Sequence, residues 1–385
     1  MTSSSQGKHW VKSVHYWASG LLLVAVIPLL RRFDLPTRFD WPGLAFTYWV
    51  LLTSKSIFVA TILYLIGFSP VETVRPVLER IQREKARLLL VVVFLMILGW
   101  ALGLSKALVV TVDTVAVLEV RERLRPHGLL RSAGAILPPA LYLFLGLLLV
   151  SAYNDIILSV RFFAADDALF NSMDKWLLHG LSVPQLCHGA LQALPISVFH
   201  FLEFIYYGMF AQIGAALILT CQYCGRRRGM QFVGAVLVGY YIALVLFYLW
   251  PSQGPYYVCP AHFTQFPSAL RTYAAQKGSM AGAQARWSHE PLSRISFDYY
   301  IAFPCMHIVQ PLIVMWFLRF SKRMMVFLTA YNVVLASAIV LLEWHYVVDV
   351  LAGVVVAVLA VAAVEGSELW RRGGVNRATQ ECCRA

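Results

Sequence analysis

The sequence predicts an all-α fold, a polytopic transmembrane helical bundle with about ten spans. Hydrophobic residues make up 59% of the chain and charged residues only 14%, and the mean hydropathy is +0.67. The net charge of +12 does not gather in one patch, because the basic residues fall in short clusters between apolar runs. That distribution is typical of the inner loops of membrane proteins. We therefore expect the bilayer as a partner and no binding of nucleic acid.

Apolar runs long enough to cross a bilayer recur along the chain. The expected spans are residues 14–30, 41–68, 88–120 as two short crossings, 138–159, 196–220, 230–250, 301–319, 324–342 and 345–364. Three regions follow. Residues 1–133 hold the first four spans and basic inner loops, residues 134–365 hold six spans and a long outer loop at 251–300, and residues 366–385 form a polar, basic tail.

Two histidines lie at the ends of a predicted helical hairpin. The motif FPCMH, ending at His307, precedes one apolar run, and EWHYVVDVLAG, containing His345, follows the next. A hairpin of two spans returns to the face on which it begins, and counting back from a basic inner tail makes this the non-cytoplasmic face. Asp349 follows His345 by one helical turn. A carboxylate so placed can accept the imidazole Nδ1 proton and leave Nε2 as a nucleophile or base, which predicts a catalytic site.

The motifs FPxxH and HYxxDxxAG at hairpin spacing resemble the type-2 phosphatidic acid phosphatase superfamily, and within it the branch of inositol phosphorylceramide synthases and, more distantly, sphingomyelin synthases. The segment WPSQGP (Trp250–Pro255) is similar to a proline-containing segment of that branch. The resemblance implies that residues 134–365 form a six-helix phosphatidic-acid-phosphatase-like core. It also implies that His345 is the nucleophile, that Asp349 orients it, and that His307 acts as acid and base.

The chain departs from the family pattern where phosphate is bound. Cys305-Met306 stands where phosphatases carry Ser-Gly, Ile339 stands where they carry an arginine, and their upstream lysine and Arg-Pro motif has no match. The synthase branch commonly lacks these residues, which favours transfer over hydrolysis. Arg286 and Arg294 of the outer loop are the cations expected to bind phosphate instead, and simple solvation of the loop is an equal alternative.

Two further residues are candidates for contact with a substrate headgroup. Glu203 lies near the outer end of a predicted span, where a carboxylate is costly unless it is paired or hydrated. We expect Glu203 either to contact a substrate headgroup or to pair with a neighbouring arginine. Tyr256 is an aromatic residue of the outer loop. No cofactor is expected, and no carboxylate or histidine cluster in the sequence is typical of a metal site.

The segment 161–195 is more polar and contains prolines. Its acidic residues include Asp167 and Asp174. We expect a solvated or interfacial loop with an amphipathic helix, because surface loops need polar residues. An approach path for a lipid headgroup is the alternative.

The resulting hypothesis is an integral membrane phosphotransferase that moves a phosphate-containing headgroup from a membrane lipid donor to a hydroxyl acceptor through a phosphohistidine, similar to an inositol phosphorylceramide synthase. Two alternatives stay open. One is a phosphatase of lipid phosphates or polyprenyl pyrophosphates, and the other is a membrane transporter or scaffold with a degenerate site. The intact His-His-Asp set argues against the last. The sequence identifies neither the donor and acceptor nor the oligomeric state.

Overall fold

The computed structural model describes residues 14–32, 59–60, 63, 129–161, 166–206, 208–255 and 302–372. Within these ranges the regular secondary structure is entirely α-helical. The helices are α1 (Val14–Arg32), α2 (Leu129–Arg161), α3 (Asp167–Leu177), α4 (Val183–Ala193), α5 (Ile196–Tyr206), α6 (Gly208–Leu249), α7 (Met306–Leu318), α8 (Lys322–Leu341) and α9 (Val347–Arg372).

Five stretches of these helices are long and apolar enough to cross a bilayer. They are Val14–Arg32, Gly134–Ile157, Ala211–Leu249, Lys322–Leu341 and Val347–Gly366. Helices α5 and α7 are apolar but shorter. The predicted all-α membrane bundle is therefore confirmed for the part of the chain that the structure describes. Of the predicted spans at 41–68 and 88–120, all but residues 59–60 and 63 lie outside it.

The span predicted at 196–220 is divided between two helices. Helix α5 ends at Tyr206 and α6 begins at Gly208. Tyr331 of α8 donates its hydroxyl to the carbonyl oxygen of Ile205 at 2.6 Å, so a side chain takes a hydrogen bond that a continuing helix would make. Helix α6 in turn contains a non-helical residue, Gly225 at φ 79° and ψ 170°, within the turn that the sequence predicts between two spans.

Helices α6 and α7 form the centre of the bundle. Helices α2 and α9 pack on α6, and α7 also contacts α8 and α9. The fully buried side chains of this centre include Leu143, Phe232, Leu237, Ile313 and Phe317. In a bilayer such contacts stabilise the fold through close packing, because lipid tails are as apolar as leucine.

The N-terminal helix α1 packs on this same bundle. It contacts α2, α6 and α9. His15 is buried there with Nδ1 3.1 Å from the Tyr142 hydroxyl, and Ser19 Oγ lies 2.7 Å from the hydroxyl of Tyr241. These polar contacts fix α1 against α2 and α6.

Candidate active site

Helices α7 and α9 begin beside each other, and this brings the two histidine motifs together. Helix α7 begins one residue before His307, and α9 begins two residues after His345. The backbone N–H of Cys305 donates to the carbonyl oxygen of Asp349 at 3.1 Å, which ties the two chain segments at this point. The imidazole rings of His307 and His345 lie with their centroids 5.8 Å apart.

His345 and Asp349 form a buried pair. The Nδ1 atom of His345 lies 3.5 Å from Asp349 Oδ2, and the backbone N–H of Tyr346 donates to that oxygen at 2.9 Å. Both side chains are buried, Asp349 completely. A carboxylate on the Nδ1 side can orient the ring and leave Nε2 free. The turn that precedes α9 thus brings His345 and Asp349 together.

His307 is only partly buried, and its ring packs against the aromatic side chain of Tyr206. The ring stacks on Tyr206 at a centroid distance of 4.1 Å and an interplanar angle of 25°. The Tyr206 ring in turn lies nearly perpendicular to the Trp344 ring, at a centroid distance of 3.9 Å. Tyr206 is the last residue of α5, so a third helix contributes to the site. Nothing in the sequence distinguishes this tyrosine from the other apolar residues of its span.

Gly353 allows the close approach of the two motifs. A Cβ atom at this position would lie 2.7 Å from the carbonyl oxygen of Cys305 and 3.1 Å from Cβ of Ile308. The backbone at the start of α7 therefore packs directly on α9, one turn after Asp349. This contact explains the glycine of the HYxxDxxAG motif in physical terms.

A buried carboxylate of α3 caps the N-terminus of α9. Asp174 accepts hydrogen bonds from the backbone N–H groups of Val347 and Val348, both at 2.9 Å. The first N–H groups of a helix have no partner within it, and an acidic side chain stabilises them. Asp174 is completely buried. It holds the helix start that lies between His345 and Asp349.

A second carboxylate of α3 organises the WPSQGP segment. Asp167 Oδ1 accepts from Ser252 Oγ at 3.0 Å and from the backbone N–H groups of Gln253 and Gly254 at 3.1 and 3.0 Å. Gly254 has φ +97°, and a Cβ there would lie 2.5 Å from the Trp344 carbonyl oxygen. The segment therefore packs directly behind the residue that precedes His345.

These contacts correct one expectation. The segment 161–195 is not simply a solvated loop, since Asp167 and Asp174 are buried and bind backbone groups beside the histidines. The solvated description holds for Asp166, Lys175 and His179, which are exposed. A sequence signal did exist, because Asp167 and Asp174 are seven residues apart and share one helical face.

The predicted substrate-binding residues fall into two groups. Glu203 is buried in α5, one turn before Tyr206. Arg286, Arg294 and Tyr256 lie outside the described residues.

Glu343 is a buried acid that the sequence does not single out. It lies in the turn between α8 and α9, is completely buried, and has the positive φ of 56°. Neither of its carboxylate oxygens has a hydrogen-bond partner among the described residues. Burial raises the pKa of Glu343 to about 8, from an ordinary value of 4.5. The side chain is therefore neutral at neutral pH.

This pKa predicts a pH-dependent stability. The folded protein keeps the Glu343 proton to about pH 8, whereas the unfolded chain loses it near pH 4.5. The contribution of Glu343 to the free energy of unfolding is full below pH 4.5 and is lost as the pH rises through about 8. The melting temperature of the wild type in detergent should fall relative to that of Glu343→Gln between these two values. Asp166→Asn, which changes an exposed carboxylate, is the control, and a pH-independent difference between wild type and Glu343→Gln contradicts the prediction.

Cys305 completes a group of three side chains with metal-ligating atoms. The Cys305 thiol and one ring nitrogen from each of His307 and His345 all lie within 4.8 Å of one another. Cys305 and His345 are buried, and His307 is partly exposed. The linear sequence does not reveal this group, because the hairpin separates His345 from the other two.

A comparison with protein-family models extends these observations. The model of the PAP2 superfamily, the type-2 phosphatidic acid phosphatases, matches residues 171–363, which is half of the chain. The match begins within α3 and ends within α9, so it includes both histidine motifs. No curated protein and no solved structure matches the chain significantly. PAP2 members are phosphatases or phosphotransferases of phosphoesters. The chain is a multi-pass membrane protein that belongs to the PAP2 superfamily.

Proposed function

We propose that this protein transfers a phosphate-containing headgroup from a membrane lipid to a hydroxyl acceptor through a phosphohistidine, in the manner of an inositol phosphorylceramide synthase. The observation that supports this most directly is the close pair of His307 and His345, with Asp349 on the Nδ1 side of one of them. Phosphoryl transfer needs an in-line nucleophile and a proton donor for the leaving oxygen. The two rings can supply these two functions.

The proposed reaction has two steps that mirror each other. In the first, His345 Nε2 forms a bond to phosphorus while the bond from phosphorus to the donor lipid's oxygen breaks, and that oxygen takes the proton of His307. In the second, neutral His307 removes the proton of the acceptor hydroxyl. The hydroxyl oxygen then bonds to phosphorus and His345 is released. Asp349 stabilises the imidazolium character of His345 in both steps.

One feature of the structure supports binding of the negatively charged group. The start of α7 lies directly beside His307, and a helix N-terminus carries a partial positive charge that attracts phosphate. Arg286 and Arg294 remain our candidates for the cations around the equatorial oxygens, with Tyr256 and Glu203 as further headgroup contacts. We place the site on the non-cytoplasmic face, on the basis of the basic inner loops.

An apolar groove beside the site supports a lipid donor. It lies between α3 and α9 and is lined by Ser172, Met173, Trp176, Leu177, Val348 and Leu351. Val348 immediately precedes Asp349, so an acyl chain in this groove would place its headgroup close to the catalytic pair. An apolar lining next to a few convergent polar groups is typical of ligand sites.

Hydrolysis is the second candidate, and one observation favours it. His307 is partly exposed, which suits an enzyme whose acceptor is water. A phosphatase of lipid phosphates or polyprenyl pyrophosphates would use the same first step and water in the second.

The experiment follows both products at once. Purified protein in detergent is given a panel of phospholipids and lipid phosphates, with and without hydroxyl-bearing lipids, and new phospholipid and free phosphate are measured in parallel. We expect new phospholipid only when a hydroxyl lipid is present, with little free phosphate. Free phosphate that is independent of a hydroxyl lipid would establish the phosphatase. If neither new phospholipid nor free phosphate forms with any lipid of the panel, both the transferase and the phosphatase are contradicted.

A further inference from the structure

We propose that Cys305, His307 and His345 form a zinc-binding site that overlaps the catalytic pair, so that bound zinc and phosphoryl transfer exclude each other. The three ligand atoms come from both ends of the helical hairpin and lie within 4.8 Å of one another. One thiolate with two imidazoles is a ligand set that Zn²⁺ binds readily, with a fourth position open for water or an anion.

The distances fit a site that closes by small side-chain rotations. Tetrahedral zinc with Zn–N of about 2.0–2.1 Å and Zn–S of about 2.3 Å holds its ligand atoms roughly 3.4–3.6 Å apart. The separations within the group have an upper limit of 4.8 Å, so each atom has to move by about an ångström or less. Rotations of the Cys305 and His307 side chains supply this movement without changing the backbone, which is tied at the hydrogen bond from Cys305 N–H to Asp349.

The surroundings of His345 already have the form found around zinc ligands. A histidine that binds metal through one ring nitrogen usually donates its other N–H to a carboxylate or carbonyl, which fixes the ring and increases its basicity. His345 Nδ1 lies 3.5 Å from Asp349 Oδ2, and this leaves Nε2 for the metal. The arrangement that makes His345 a nucleophile is therefore also the one that makes it a ligand.

The thiol distinguishes this chain from the phosphatases that it resembles, which carry serine at this position. A serine hydroxyl is a poor ligand for zinc, whereas a thiolate is among the preferred ones. Cys305 is completely buried at the start of α7.

Zinc at this site would stop the reaction because it occupies His345 Nε2, the atom proposed to attack phosphorus. It would also hold His307 and prevent proton transfer. The metal site itself does not depend on the proposed function, because binding can be measured without substrate.

The test uses Co²⁺ and Zn²⁺ with the purified full-length protein in detergent. Co²⁺ bound to a thiolate shows a sulfur-to-metal charge-transfer band, and tetrahedral Co²⁺ shows intense visible bands. We expect both in the wild type, their displacement by Zn²⁺, and their loss in Cys305→Ser and in His345→Asn. Cys221→Ser, which alters a buried cysteine of α6, is the matched control and should keep the bands.

A second measurement keeps the result independent of folding defects in the variants. In the wild type, X-ray absorption at the zinc edge should show one sulfur ligand at about 2.3 Å together with nitrogen ligands at about 2.0–2.1 Å. Bands that persist in Cys305→Ser, their absence from the wild type, or bound zinc without a sulfur ligand would each overturn the zinc site. If the bands appear while no lipid substrate reacts, the zinc site stands and the proposed function falls.

Discussion

Replacing His345 by asparagine is expected to lower the rate of phosphoryl transfer by roughly 10⁴-fold or more, because it removes the proposed nucleophile. Asparagine is similar in size to part of the ring and can still accept or donate a hydrogen bond beside Asp349. The buried surroundings of Asp349 therefore change little, and the loss should lie in chemistry. The measurement uses a donor lipid that carries a label in its phosphate. After a brief reaction that is stopped without acid, the wild-type protein should carry the label and the variant should not.

His200→Asn is the matched control, since the side chain of His200 on α5 is exposed. This variant should keep the wild-type rate and the labelled chain. Label retained by His345→Asn at the wild-type level would show that another residue carries the phosphoryl group. An unlabelled wild type with unchanged turnover in His345→Asn would remove the covalent mechanism altogether.

Replacing Gly353 by alanine should lower the rate of transfer by about 10²-fold, although alanine favours helix by up to about 1 kcal/mol over glycine. The added Cβ would lie 2.7 Å from the carbonyl oxygen of Cys305, a backbone atom that cannot rotate away. The start of α7 must then shift relative to α9, and His307 moves with it. A misplacement of about 1 Å at a reacting group is sufficient for a loss of this size.

Gly20→Ala in α1 provides the comparison, because a Cβ at that position meets no atom within 4 Å. It should leave the rate unchanged and raise the melting temperature slightly. Both variants are assayed at saturating donor, so that the change in kcat is separated from donor binding. A Gly353→Ala protein with the wild-type kcat would mean that the two motifs need not approach as closely as the structure places them.

The hairpin of α7, α8 and α9 illustrates what could be predicted from the sequence. Two apolar runs joined by a basic turn predict a helical hairpin, and the period of the helix places Asp349 one turn after His345. Of the two helices, α8 is long enough to cross a bilayer, whereas α7, at Met306–Leu318, is shorter than the predicted span of residues 301–319. The membrane environment reduces the number of possible folds, so the class and this part of the topology follow from hydropathy alone.

The remaining parts of the site depend on contacts between distant segments. Tyr206 stacks on His307 at the end of α5. The sequence predicts one continuous span at this point, and the hydrogen bond from Tyr331 to Ile205 that accompanies the end of α5 is seen only in the structure. From the sequence, Asp174 is expected to be a solvated loop residue. Its role as a cap is visible only in the structure, where the start of α9 packs against it. The group formed with Cys305 likewise appears only when the hairpin closes.

Helix α3 has two opposed faces, and their combination has a consequence for the whole enzyme. One face carries Asp167 and Asp174 inward, and the other exposes Leu169, Met173 and Trp176, the last with 81% of its surface accessible. Such an apolar ridge settles at the boundary between headgroups and acyl chains. Because the same helix caps α9, we expect the depth of the histidines to follow the lipid boundary, so that under the proposed function membrane thickness affects how well a headgroup reaches them. The bilayer is then a positioning element of the catalytic machinery as well as its solvent.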